Sequence, residues 1–348
     1  MTRLNTYLLR LCSYRQPRRI RVIENVLTSH RTVANLFWAQ QYGILEWLGA
    51  RRQANQDQLD FELRELQAAG LVEVVADNQV KLTTTGVSFQ EEQPPVYEPA
   101  FYSWYWLANT KVAFLRFLLG FQVVSEFSYH NRHYVPLNIS FAEQQQVKSW
   151  FNHFGSDHLV GDVNAELQLL MNSLESEDER LPLALVNQLI GHGQTGWTLD
   201  QLCNHLQLNV ADGITLTHDL ALAICAFSRA TNGPLACLIK PLLSATPLSP
   251  SNWRTFKMVS SGRTITEVAR QRRLKVSTVR EHLLTAAILM PQLLNWDQLL
   301  PIKVRQYLDQ NYQGPVTEWQ FASWSADSNA DFFYFRLYQI LQGSQTNE

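Results

Sequence analysis

The sequence predicts a mainly all-α protein with an N-terminal winged-helix-like unit bearing one β-hairpin, a helical middle, and a C-terminal helix-turn-helix domain. Three observations carry this prediction. Apolar residues recur at helical spacing through most of the 348 residues. Leu71–Val75 and Gln79–Leu82, separated by Ala76-Asp77-Asn78, read as two short strands around a turn. Thr264–Leu283 joins a helix-start signature to a second helix with one buried stripe.

The N-terminal unit is assigned to residues 1–90. Ile20, Ile23, Val26 and Leu27 follow helical periodicity, as do Leu36, Phe37 and the stretch Tyr42–Leu48. Leu59, Leu63 and Leu66 make a third helix, closed by Gly70. Three helices followed by a hairpin ending at Thr85-Gly86 make a winged helix. Gln90–Pro99 breaks helix and strand alike, and a helical middle domain follows over 91–240. Its aromatic run includes Phe101, Tyr102, Trp104, Tyr105, Trp106, Phe114, Phe117 and Phe121. Such rings can stack single-stranded bases. Only Lys111, Arg116 and Arg132 accompany them, and Phe114, Phe117 and Phe121 lie at helical spacing, so core packing is the better reading. Asn172–Pro182 reads as an acidic, solvated loop, Pro241–Pro250 as a hinge, and the chain from Gln342 onward as frayed.

The C-terminal domain is assigned to 251–341. Thr264-Ile265-Thr266-Glu267 is a capping-box pattern, in which hydroxyl and carboxylate each satisfy an orphan N–H at a helix start. Val268 and Ala269 give the first helix a small apolar face. Leu274 and Val276 flank a break, and Ser277-Thr278 are placed to cap the next helix. On that helix Val279, Leu283, Ala286 and Met290 form one stripe. The candidate DNA-contacting residues are Arg263, Arg272, Arg273, Lys275, Ser277, Thr278 and Arg280.

Charge is unevenly distributed. The chain has 29 Lys and Arg against 31 Asp and Glu, a net of −2. Between Ser251 and His282 the cations Arg254, Lys257, Arg263, Arg270, Arg272, Arg273, Lys275 and Arg280 face only Glu267 and Glu281. Met1–Arg52 is also basic, with only Glu24 and Glu46 among its arginines. Two basic ends therefore flank an acidic middle, and clustered cations release counterions from a phosphate backbone.

Other chemistry is poorly served. Cys12, Cys203, Cys225 and Cys237 show no metal-ligand or disulfide spacing. Gly191-His192-Gly193-Gln194-Thr195-Gly196 matches the dinucleotide fingerprint G-x-G-x-x-G, but helices rather than a strand are expected around it. His218-Asp219, with His192, His153, Asp157 and His158, lacks a defined metal-ligand pattern. No phosphate-binding loop or nucleophile motif occurs. The expectation is no cofactor, no metal, no small-molecule substrate and no membrane partner. No leader or membrane-length apolar run is evident, so a cytoplasmic location in a reducing bacterial cytosol is expected.

Ile265-Thr266-Glu267-Val268-Ala269, Arg272-Arg273-Leu274 and Ser277-Thr278-Val279 followed by His282-Leu283 resemble the helix-turn-helix domain at the C-termini of RecQ- and Werner-type helicases. The overall layout resembles the YpbB-like family of Gram-positive bacteria, on Arg31-Thr32, the Leu66–Gly86 wing and Tyr134-Val135-Pro136. The resemblance implies a non-enzymatic, DNA-binding accessory of a RecQ-type helicase. The family's turn usually carries Gly where this chain has Arg273, and a left-handed Arg costs about 1 kcal/mol. Two rival readings remain open: a sequence-specific transcription regulator, and a protein-interaction adaptor that binds no DNA. A nucleotide or metal enzyme built on Gly191–Gly196 or His218-Asp219 is a third.

Overall fold

The computed structural model describes residues 6–52, 54–75, 78–93, 96–102, 106–155 and 158–345. Trp104 and Tyr105 of the aromatic run, Ala76 and Asp77 of the hairpin turn, and Asp157 lie outside these. Among the described residues the helices, in chain order, begin with α1 (Thr6–Arg10), α2 (Ile20–Thr28), α3 (Val33–Gln41), α4 (Gln56–Ala68) and α5 (Thr84–Glu92). The middle holds α6 (Thr110–Ser128), α7 (Phe141–Phe154), α8 (Leu159–Glu175), α9 (Arg180–Gln188), α10 (Leu199–His205), α11 (Val210–Ala230) and α12 (Pro234–Ile239). The C-terminal third holds α13 (Pro250–Ser260), α14 (Ile265–Arg272), α15 (Val276–Leu289), α16 (Trp296–Leu299), α17 (Ile302–Asn311) and α18 (Ser328–Gln345). The strands are β1 (Arg18–Arg19), β2 (Val72–Val75) and β3 (Gln79–Leu82).

The mainly helical fold with one hairpin is present as the periodicity predicts. β2 and β3 pair antiparallel, with Val72 opposite Leu82 and Val75 opposite Gln79. The division into units differs from 1–90, 91–240 and 251–341. One compact unit combines the chain up to Pro17 with Asn55–Ala245, and the other combines Arg18–Ala54 with the chain from Thr246 onward. The helices assigned to one winged unit are thus shared out: α4 and the hairpin stay with the helical middle, while α2 and α3 join the C-terminal helices. Periodicity reveals which face of α3 is buried, through Leu36, Phe37 and Ala39, but not what buries it.

In the first unit the core gathers around α6 and α11, which pack on each other and on α12. Phe114 and Phe117 are buried there with Phe121 packed against them, as their spacing predicts. α11 is long and apolar enough to cross a membrane by length and composition, yet it is mostly buried within the protein and carries two fully buried carboxylates, Asp212 and Asp219. These carboxylates anchor the segment before α6. Asp219 accepts hydrogen bonds from the Tyr97 hydroxyl at 2.5 Å, the Ala100 N–H at 2.8 Å and the Phe101 N–H at 2.7 Å. The Tyr7 hydroxyl lies 2.6 Å from both Asp212 Oδ1 and the Tyr97 carbonyl. Burial pushes the Asp219 carboxyl up to about 6 against the pull of its three donors. Likewise Glu166 on α8 accepts from the Leu235 and Ala236 N–H groups, both at 2.7 Å, capping α12 from a different helix.

Three local expectations are corrected. Asn172–Pro182 is not a long loop: α8 runs to Glu175 and α9 starts at Arg180, because Leu174 and Leu181 are both needed in the core. Tyr42–Leu48 is interrupted at Gly43, whose φ is +65°, and resumes only as a single 3₁₀ turn over Leu45–Trp47. The stretch from Gln342 is not frayed at its start, since α18 continues to Gln345 and Gly343 sits against Gln41. The boundary between the units falls at Ala245 and Thr246, within Pro241–Pro250.

Replacing Asp219 with Ala leaves the buried Tyr97 hydroxyl and two part-buried backbone N–H groups without an acceptor, and should cost about 3 kcal/mol in urea denaturation. A loss below about 1 kcal/mol would show that the Tyr97–Phe101 segment is held by something else.

Candidate nucleic-acid interface

The second unit is built on α15. It packs against α13, α14, α3 and α18, and Val279, Leu283, Ala286 and Met290 are buried as the stripe predicts. The helices α13, α14 and α15 form the three-helix core of a helix-turn-helix. Val268 and Ala269 are the buried residues of α14, and Ala269 admits α15 closely because its side chain is a single methyl.

The capping box forms in full. The Glu267 N–H donates to Thr264 Oγ1 at 3.2 Å, and the Thr264 N–H donates to Glu267 Oε2 at 2.8 Å. That backbone donor is the main reason the Glu267 carboxyl is held below the usual carboxylate range. α14 then ends on Arg273, at φ +55° and ψ 42°. The Leu274 N–H reaches the Ala269 carbonyl at 2.9 Å and the Arg273 N–H reaches the Arg270 carbonyl at 3.2 Å. This is a Schellman ending, normally made on Gly, here made on Arg. The turn keeps the left-handed geometry and Arg273 carries the strain, with its side chain exposed.

One capping expectation is corrected. α15 starts at Val276, with Lys275 as the N-cap and no side chain capping it. Ser277 and Thr278 fall inside the first turn, because Leu274 is drawn back onto α14 and the helix starts two residues earlier. The first N–H groups of α15 therefore have no intrahelical acceptor and no side-chain cap.

The seven candidate side chains separate into two groups. Arg273, Lys275 and Ser277 are exposed at the turn and helix start, with Thr278 half-buried beside them. Arg263 is exposed at the α13–α14 turn and donates to Gln271 Oε1. Arg272 and Arg280 are turned inward. Arg272 donates to the Ser251 carbonyl at 2.8 Å, to Ser251 Oγ at 3.0 Å, and to Thr255 Oγ1. Burial, reinforced by nearby Arg254, lowers its pKa. Arg280 lies over the Phe333 ring and 3.4 Å from Asp327 Oδ2. Arg270, exposed on the last turn of α14, joins Arg273 and Lys275 instead.

The sequence reading did not anticipate the joint that fixes these helices. Thr255 on α13 is fully buried, and its hydroxyl meets Arg272 of α14 and, at 2.7 Å, His282 Nδ1 of α15. Arg272 can only donate, so the Thr255 hydroxyl accepts from it, and its own proton or its second lone pair faces His282 Nδ1. Burial, then the Arg272 charge, holds the His282 pKa below its usual value. His282 stands in the motif quoted above, but nothing in the spacing names its partner 27 residues away.

The chemistry-like motifs of the first unit are occupied structurally. Gly191 and Gln194 bridge in a tight turn, and a Cβ on Gly191 would lie 2.5 Å from Ser125 Oγ. The His192 N–H donates to that same Oγ, and its ring stacks on Tyr129. Asp219 holds backbone, while His218 Nε2 lies 3.1 Å from Thr110 Oγ1. Among the described residues no group of three or more His, Cys, Asp or Glu is arranged to hold a metal.

Residues 251–339 match the family model of a helix-turn-helix domain, spanning α13 to most of α18. No curated protein and no solved structure matches the chain.

Two expectations follow from this geometry. Arg273→Gly removes the left-handed strain and should raise stability by about 1 kcal/mol in chemical denaturation; an unchanged or lowered value contradicts the strained turn. The folded His282 has its pKa held below the ordinary histidine value of about 6.5, so the stability it lends is complete above that value and declines as pH falls through the lower folded one. Thermal melts from pH 7 downward should show that decline, and His282→Gln should flatten it.

Proposed function

We propose that this chain is a non-enzymatic DNA-binding accessory of a RecQ-type helicase, which meets the phosphate backbone through α14, the turn and the start of α15. The observation that carries the reading is the uncapped start of α15, flanked by exposed Arg270, Arg273 and Lys275, within the matched helix-turn-helix domain. A helix start with free N–H groups favours an anion, and three exposed cations around it displace counterions from DNA on binding. Ser277 and Thr278 add hydroxyls on the same first turn. Arg272 and Arg280 hold the helices at the angle that presents this surface, and they contribute to affinity through position. The strain at Arg273 supports the reading further, since a cation kept where Gly is cheaper points to use of its charge. The helicase partnership rests on the likeness of 265–283 to the domain at helicase C-termini.

The test is DNA affinity across a series of salt concentrations, with a selection from random duplexes in parallel. Substituting Arg270, Arg273 and Lys275 by Gln should weaken binding about tenfold or more at moderate salt and flatten the salt slope by about 0.9 for each lost contact. Arg273→Gly should weaken binding while stabilising the fold, an opposition that a merely structural arginine does not produce. Unchanged affinity in the triple variant sinks this surface. A recovered consensus sequence favours a transcription regulator, and capture of a RecQ-type helicase without DNA affinity favours an adaptor.

A further inference from the structure

Two further cations in the same unit stack on adjoining rings, Trp38 and Phe37, whose centroids lie 5.4 Å apart. Arg19, exposed just before α2, has its guanidinium 4.3 Å from the centroid of the Trp38 ring. Arg336 on α18 is half-buried, with its guanidinium 3.7 Å from the Phe37 centroid and 5.3 Å from that of exposed Phe332. Among the described residues neither guanidinium makes a hydrogen bond or an ion pair. Burial, and then repulsion from Arg19, push Arg336 down to about 10, so it remains charged at neutral pH. Stacking on a ring engages the face of a guanidinium and leaves its planar fork of N–H donors for another partner. Two like charges kept together on aromatic supports are costly alone, and an anion between them reverses that cost.

The location ties this pair to the recognition helix. Arg280, in the second turn of α15, lies over Phe333 of α18, and Arg336 is one turn further along that same helix. α3, which carries Phe37 and Trp38, also packs on α15. The structure thus sets a second cationic site against α3 and α18, both of which pack on α15. A duplex backbone presents closely spaced single negative charges, each of which one guanidinium can meet.

We propose that Arg19 and Arg336 form a second phosphodiester-binding site, gripping the backbone of the DNA that the start of α15 approaches. This rests on the DNA-binding reading above. Aromatic stacking holds both guanidinium groups in place before DNA arrives, so little side-chain freedom is lost on contact.

The experiment uses the full-length protein and random-sequence duplex DNA, with affinity measured over a salt series and circular dichroism confirming each fold. Arg19→Gln with Arg336→Gln should lower the steepness of the log affinity against log salt plot by about 0.9 for each guanidinium removed. Arg336→Lys retains the charge and should stay near the wild-type slope. If the double variant fails to fold, Arg19→Gln alone, at an exposed position, should still reduce the slope by about 0.9. A folded Arg19→Gln/Arg336→Gln protein with the wild-type slope, while the Arg270, Arg273 and Lys275 variant weakens, overturns the second site and leaves the helix-turn-helix reading standing. Loss in the Arg19/Arg336 variant with none in the other supports the second site and overturns the first surface. A wild-type chain without salt-dependent DNA affinity overturns both.

Discussion

The second unit depends on one constraint: α15 must be its central core helix and also the helix whose first turns face outward. From Leu283 to Ile288 every residue is buried, because α13, α14, α3 and α18 surround that stretch. Only the part from Val276 to Glu281 retains exposed polar side chains. A helix buried on all sides at one end and open at the other has a fixed direction, which presents a short, rigid surface. This is why the packing of α3, far away in sequence, matters to a surface formed near residue 275.

Orientation of that surface comes from polar bonds rather than from apolar area alone. Ridges packed into grooves tolerate some scatter in crossing angle. The Thr255 hydroxyl narrows it by engaging one side chain from each of the other two helices, Arg272 and His282. Arg280 similarly ties α15 to α18 through Phe333 and Asp327. Basic residues in this region therefore do two different things. Some brace the helices, and others, at Arg263, Arg270, Arg273 and Lys275, remain at the surface. A count of local positive charge merges the two classes, and only the hydrogen bonds separate them.

Buried carboxylates organise the first unit in a comparable way. Asp212, Asp219 and Glu166 are each matched by donors from elsewhere in the chain, as buried charge requires. Two patterns that look chemical in one dimension have structural roles. His218-Asp219 resembles half a metal site, yet the carboxylate is taken by Tyr97, Ala100 and Phe101. Gly191–Gly196 resembles a nucleotide loop, yet its first glycine is small because Ser125 stands against it. Both motifs are answers to packing and hydrogen-bond satisfaction.

What the sequence determined by itself was local: the helices from their apolar periods, the hairpin, the Thr264–Glu267 capping box and the buried stripe of α15. Each rests on neighbours within a turn or two, where backbone geometry and short-range hydrogen bonding decide the outcome. Tertiary structure alone decided that α3, with α2 packed on it, leaves the wing to cover α15, that Arg272 and Arg280 brace rather than project, that Thr255 joins three helices, and that Arg19 and Arg336 stack on adjoining rings. Those outcomes depend on which buried face meets which, and on where a long side chain finds its acceptor. Both are set by contacts between residues far apart in the chain, which no local pattern encodes.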